Sequence, residues 1–174
     1  MGTGQTLLTI GAIMLLGSVI LTTNRSLNYT SQVLLNSNIG LEEVSLATST
    51  IEEAQGKAFD EHTDTSNVEP DSLQKLTPWN QLGQENGDPN DLNDFDDYNG
   101  LYGNGRLVID TVRVGTVITG IYYDSTRVYY VLPQNGLDKN VNAKTWSKRL
   151  DVWVWNKDIP DTVKMHTVFS YWYF

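Results

Sequence analysis

No cysteine occurs anywhere in the 174 residues, so disulfide bridges, zinc–thiolate sites and thiol nucleophiles are excluded and packing must hold the fold. Only two histidines are present, His62 and His166. That is too few for a histidine-based metal motif, and no G-x-S-x-G or phosphate-cradling glycine loop accompanies them. Both read as satisfied or surface residues rather than bases, and the chain reads as a non-enzyme. Positive charge is scarce as well: 12 Lys and Arg stand against 21 Asp and Glu, a formal net charge of −9. A phosphate backbone needs a basic stripe, so no nucleic-acid partner is expected.

What is present is enough to bury a core, with 40% hydrophobic and 10% aromatic residues. Charge is distributed in blocks. Residues 1–24 carry none, Glu52 to Asp97 carry thirteen acids against two bases, and Tyr98 to Phe174 carry six acids against nine bases. The acidity is therefore local, as expected of a solvated segment or an interaction surface.

From Thr6 to Thr23 the chain reads TLLTIGAIMLLGSVILTT. Its large apolar residues are Leu7, Leu8, Ile10, Ile13, Met14, Leu15, Leu16, Val19, Ile20 and Leu21, with small residues at Gly11, Ala12, Gly17 and Ser18. A cleavable secretory signal would open with basic residues and close on a small-x-small site. This run opens with MGTGQ and leaves through Thr22, Thr23, Asn24 and Arg25, so a retained helix is expected. Eighteen helical residues at ~1.5 Å each span roughly 27 Å, close to the hydrocarbon thickness of a bilayer. Its interior glycines each cost a helix about 1 kcal/mol relative to alanine, yet they also let helices approach closely in an apolar setting.

No proline interrupts the chain from Asn24 to Glu61, and Leu27, Leu34, Leu41, Val44, Ala47, Ile51, Ala54 and Ala58 recur at helical spacing. The spacing predicts an amphipathic continuation over residues 25–61 of the apolar helix at 1–24. Residues 62–105 hold three of the five prolines and many Asn, Asp and Gly, and read as an acidic loop region. From residue 106 to 174, β-branched and aromatic residues gather in short runs such as RVYYVLP and KRLDVWVW, predicting an antiparallel sheet of four to five strands. Asp124-Ser125-Thr126 is expected to turn a hairpin, while Leu150, Val152 and Val154 share one strand face. The fold class is thus α+β, with Val44, Ala47, Ile51, Ala54 and Ala58 covering the sheet.

This order of parts resembles type IV pilins and pseudopilins. GQTLLTIGAIMLLGSVIL is similar to the pilin N-terminus, which implies a processing site with Gly4 before the cut and Gln5 after it. Thr9 stands where the family usually has glutamate. FDDYNG, Phe95 to Gly100, with the later KRLDVWVW, resembles bacterial minor pilins of the mannose-sensitive haemagglutinin type. The resemblance implies a structural subunit that sits in the inner membrane and then polymerises with copies of itself into an extracellular filament, Leu7 to Leu21 with Gly11 and Gly17 forming the assembly helix. A minor pseudopilin of a membrane export machine and a single-pass anchored binding domain are the alternatives.

No cofactor is required by this reading. The acidic stretch DPNDLNDFDDYNG nevertheless offers Asp91, Asp94, Asp96, Asp97 and Asn99 as hard oxygen ligands for calcium. The EF-hand template fails there, because Tyr98 and Gly100 break its spacing; turns and caps in a solvated loop are the competing use of these residues. The charge blocks also suggest that the acidic connection, Glu85 to Asp97, faces a basic sheet surface on a neighbouring copy that includes Arg106, Arg113, Lys148 and Arg149.

Overall fold

A computed structural model describes residues 2–64, 68–84, 92–100, 108–114, 117–134, 137–157, 159 and 161–171. A 53-residue helix α1 (Thr3–Gln55) is followed by the short α2 (Glu61–Asp64), 3-10 turns at Pro70–Lys75 and Asp96–Tyr98, and strands β1 (Val108–Val114), β2 (Val117–Gln134), β3 (Leu137–Asn140), β4 (Ser147–Asn156) and β5 (Thr162–Ser170). The chain divides into two compact units, Met1–Gly40 and Leu41–Phe174.

Within the second unit, α1 packs on an antiparallel sheet of order β1-β2-β4-β5, with β3 pairing the far end of β2. This is the α+β arrangement that the sequence predicts. The 18-residue β2 organises the sheet. It pairs with β1 from Val117 to Asp124, with β4 from Tyr122 to Tyr130, and with β3 from Val131 to Gln134. Alternation along β4 sends Leu150, Val152 and Val154 to the covered face, all fully buried. Trp153 and Trp155 take the opposite face, where the Lys164 ammonium lies 4.8 Å over the Trp153 ring and Tyr123 stacks on Trp155 at 5.8 Å.

Helix α1 buries a stripe of Glu43, Ala47, Ile51 and Ala54 at spacings of four, four and three. Two of these are alanines, which lets the helix lie close to the sheet. Thr48 and Gln55 reach Met165 and Thr167 on β5, and the Tyr122 hydroxyl on β2 bonds Glu42. Of the residues expected on this stripe, Val44 stays 42% exposed and Ala58 lies beyond the helix. The helix stops at Gln55 instead of running to residue 61. Gly56 closes the last turn onto Glu52 and Glu53, and Ala58 leaves to bridge Asp94, its carbonyl accepting from the Phe95 amide at 2.8 Å. That exit carries Phe59 and Asp60 inward.

The expected hairpin at Asp124-Ser125-Thr126 is not a turn. These residues lie inside β2, opposite Val154, Trp153 and Val152 of β4. Their polar groups find other uses: Thr126 donates from its hydroxyl to the Tyr98 carbonyl and accepts at its own carbonyl from the Gly100 amide at 3.1 Å. A three-residue polar patch flanked by β-branched and aromatic residues is extended here because the connection supplies partners that a turn would otherwise have supplied. A second core, formed by Phe59, Val68, Leu76 and Tyr130, is enlarged by Trp146, Phe169 and Tyr171.

Candidate functional site

Two clusters stand out, and the first is the apolar half of α1. Every large apolar side chain from Leu7 to Leu21 is exposed, from 50% at Ile10 to 75% at Leu8. None of the most apolar eighteen-residue stretch is buried, and the helix is long and apolar enough to cross a membrane. Its polar side chains are turned inward on the helix itself. The hydroxyls of Thr6, Thr9, Ser18, Thr22 and Thr23 donate to carbonyls three or four residues earlier, at 2.8–3.1 Å. Such back-bonding leaves no hydroxyl seeking water, the condition for a helix immersed in hydrocarbon or packed among apolar helices. Gly11 and Gly17 face open space, with nothing within 4 Å of where a Cβ would stand. Gly4 and Gln5 lie in the first turns of α1.

The second cluster is polar and fully enclosed. Lys148 follows the same alternation as Leu150, Val152 and Val154, so β4 drives its side chain into the core, where it is 0% exposed. Its ammonium donates to the Phe59 carbonyl at 2.8 Å, to Asp60 Oδ2 at 2.9 Å and to Asp96 Oδ1. All three of its hydrogens are used. The rings of Phe59 and Tyr130 flank it at 4.6 and 5.4 Å. Asp60 also accepts from the Thr77 amide at 3.0 Å, the Thr77 hydroxyl at 3.2 Å and the His62 amide at 3.2 Å.

The remaining acids of the FDD segment are tied to backbone. Asp94 Oδ1 accepts from the amides of Asp96 and Asp97 at 2.8 and 3.0 Å, and Asp97 Oδ2 from those of Asn93 and Asp94 at 2.9 and 3.1 Å. Asn99 bonds the Val128 amide and the Leu82 carbonyl. Asp94, Asp96, Asp97 and Asn99, offered to calcium by the sequence, are therefore brought together around short turns and the Lys148 cation; Asp91 lies outside the described residues. Among the described residues no group of three or more His, Asp or Glu is arranged to hold a metal ion.

Charge in this pocket is unevenly shared. Burial opposes the charge of Asp60, but the Lys148 charge, its hydrogen bond and the Thr77 and His62 amides outweigh it and hold Asp60 below the ordinary value. Burial, followed by the Asp96 charge, pushes Asp94 up to about 8. Burial also raises Asp96, against the pull of Lys148. Among the described residues the second carboxyl oxygens of Asp94 and Asp96 meet no N–H or O–H donor.

The basic surface expected on the sheet is smaller than its sequence suggests. Lys148 is buried, and Arg149, its side chain 18% exposed, bonds Asp151 at 2.9 Å. Arg106 lies outside the described residues, and β1 contains Arg113. His62 is more than half exposed beside Asp60, and His166 is exposed on β5. The inward Lys148 was findable: three apolar residues at alternate positions fix the phase of β4, and position 148 continues it. No family model, no curated protein and no solved structure matches the chain.

Proposed function

We propose that this chain is a structural subunit of an extracellular type IV pilus-like filament, assembled through a central bundle of its apolar N-terminal helices. In this reading it is not an enzyme; it rests in the membrane before assembly and its lasting partners are copies of itself. The observation that supports it is the uncovered stretch from Leu7 to Leu21. Removing ten large apolar side chains from water is worth about 1.5–3 kcal/mol each, roughly 15–30 kcal/mol of gross transfer energy before entropy is subtracted. Water is not a lasting environment for such a surface.

A bilayer satisfies those side chains as well as a bundle does, so apolarity alone does not favour assembly. Packing does, and for that the open surface at Gly11 and Gly17 provides places where helix backbones approach closely. A lone anchor has no use for small residues at fixed positions.

Gly11→Leu and Gly17→Leu, made separately, test the reading. Both raise hydrophobicity and preserve membrane insertion. The expected result is loss or thinning of filaments in material sheared from the cell surface, with the protein retained in the membrane fraction. Normal filaments in wild-type amount from both variants sink the close-packed bundle and leave the single-pass anchored domain as the better reading.

A further inference from the structure

We propose that Lys148 and Asp96 are joined by an intramolecular amide bond, formed spontaneously once the chain has folded. The proposal does not depend on filament assembly. Three features of the enclosed pocket carry it: a lysine nucleophile held against a carboxyl group, a second buried carboxyl bonded to the Asp96 backbone amide, and exclusion of water from all of them.

Lys148 Nζ is in contact with Asp96 Oδ1, and both side chains are 0% exposed. Asp60 receives another of the ammonium's hydrogens at 2.9 Å, which supplies a base beside the nitrogen. Asp94 Oδ1 accepts from the Asp96 backbone amide at 2.8 Å, and among the described residues the second oxygen of each carboxyl meets no donor. Phe59 and Tyr130 wall the nitrogen. Asp97 is turned to backbone amides, and His62 sits at the exposed rim beyond Asp60.

The bond changes balance without an outside reactant. A proton passes from the ammonium to Asp96, whose neutral form burial favours, giving an amine and a carboxylic acid. The nitrogen lone pair attacks Cγ of Asp96 and a C–N bond forms. The second nitrogen proton passes to Asp60 or Asp94, and the Asp94 carboxyl delivers a proton to the departing hydroxyl. The Cγ–O bond breaks and water leaves. An ammonium and a carboxylate have become an amide and one water, with no net change in charge. The dry pocket then protects the product from hydrolysis. The bond clamps the connection at Asp96 to the central strand β4, across 52 residues of sequence.

The test is mass spectrometry of the full chain after denaturation. Trypsin cuts after Lys75, Arg106, Lys144 and Arg149, so the expected product is a branched species joining residues 76–106 to residues 145–149, lighter than the two peptides by one water, about 18 Da. Lys148→Arg, which keeps the charge, and Asp96→Ala each abolish the branched species. Asp94→Asn, which hydrogen-bonds but carries no transferable acid proton, slows its appearance after synthesis. Complete recovery of residues 76–106 at full mass together with a cut after Lys148, giving residues 145–148 as a separate peptide, from folded wild-type protein overturns the proposal and leaves a buried ion pair. A water lost within residues 76–106 alone, as in cyclisation at Asp96-Asp97, also overturns it, and so does a branch through Asp60.

Discussion

Lys148 shows most clearly what a single residue contributes to this fold. Isolated in a buried pocket, its charge would be intolerable; with the Phe59 carbonyl, Asp60 and Asp96 around it, every hydrogen is satisfied. Removing one partner from such a site leaves uncompensated charge. Lys148→Ala should therefore destabilise the protein by about 3–5 kcal/mol, read from urea unfolding, whereas a loss under about 1 kcal/mol would mean that the pocket collapses or hydrates without penalty. The acids also set a pH dependence. While the Lys148 ammonium is charged, Asp60 is held below the ordinary 3.8, so its contribution is present above that pH and is lost as pH falls through the depressed value. Asp94, raised from 3.8 to about 8, works the other way: its contribution is complete below 3.8 and is lost as pH rises toward 8. Burial is the largest cause, so the direction survives loss of the Asp96 charge. The urea midpoint should fall between about pH 5 and about pH 8, and Asp94→Asn, neutral throughout, should flatten that slope. A wild-type midpoint that rises over the same interval contradicts this assignment. The sequence made these acids legible as a cluster but hid their partner, because Lys148 lies 52 residues away and a lysine beside an arginine reads as surface unless the phase of β4 is followed through it.

At the scale of elements, the core faces are legible in the apolar pattern where one period runs long. Ala47, Ile51 and Ala54 on α1 and Leu150, Val152 and Val154 on β4 all face the core, and the sheet follows. Boundaries were harder, because tertiary partners set them. α1 ends at Gln55 since Ala58 and Asp94 pair across the chain, and β2 continues through Asp124-Ser125-Thr126 because β4 and the connection satisfy those groups. Gly120 gives a test of how tightly β2 is fitted. A Cβ there would stand 2.7 Å from the Tyr122 ring, and that ring is 1% exposed with its hydroxyl on Glu42. Gly120→Ala should cost about 1–3 kcal/mol by overpacking. An unchanged unfolding midpoint would show that the ring moves aside freely.

The molecule as a whole is two units with opposite needs. Leu41–Phe174 has its own core, its own sheet and the buried lysine pocket, so a chain cut to those residues should stay folded and soluble without detergent, as circular dichroism and sedimentation would show. Insoluble or unfolded material would mean that residues before Leu41 belong to the fold. The first unit presents exposed apolar side chains, and their function depends on what covers them. Apolarity alone told that such a cover is needed, whereas the choice between lipid and neighbouring helices rests on small residues whose use no single chain displays. Helical reconstruction of filaments sheared from the cell surface, with the subunit identified by mass spectrometry, tests this most directly. The account predicts filaments built of this chain, with Leu7 to Leu21 of each copy packed at the axis against the same segment of its neighbours and close helix approaches at Gly11 and Gly17. Sheared material free of this chain while it stays in the membrane, or filaments whose axis is built from another protein, would contradict it.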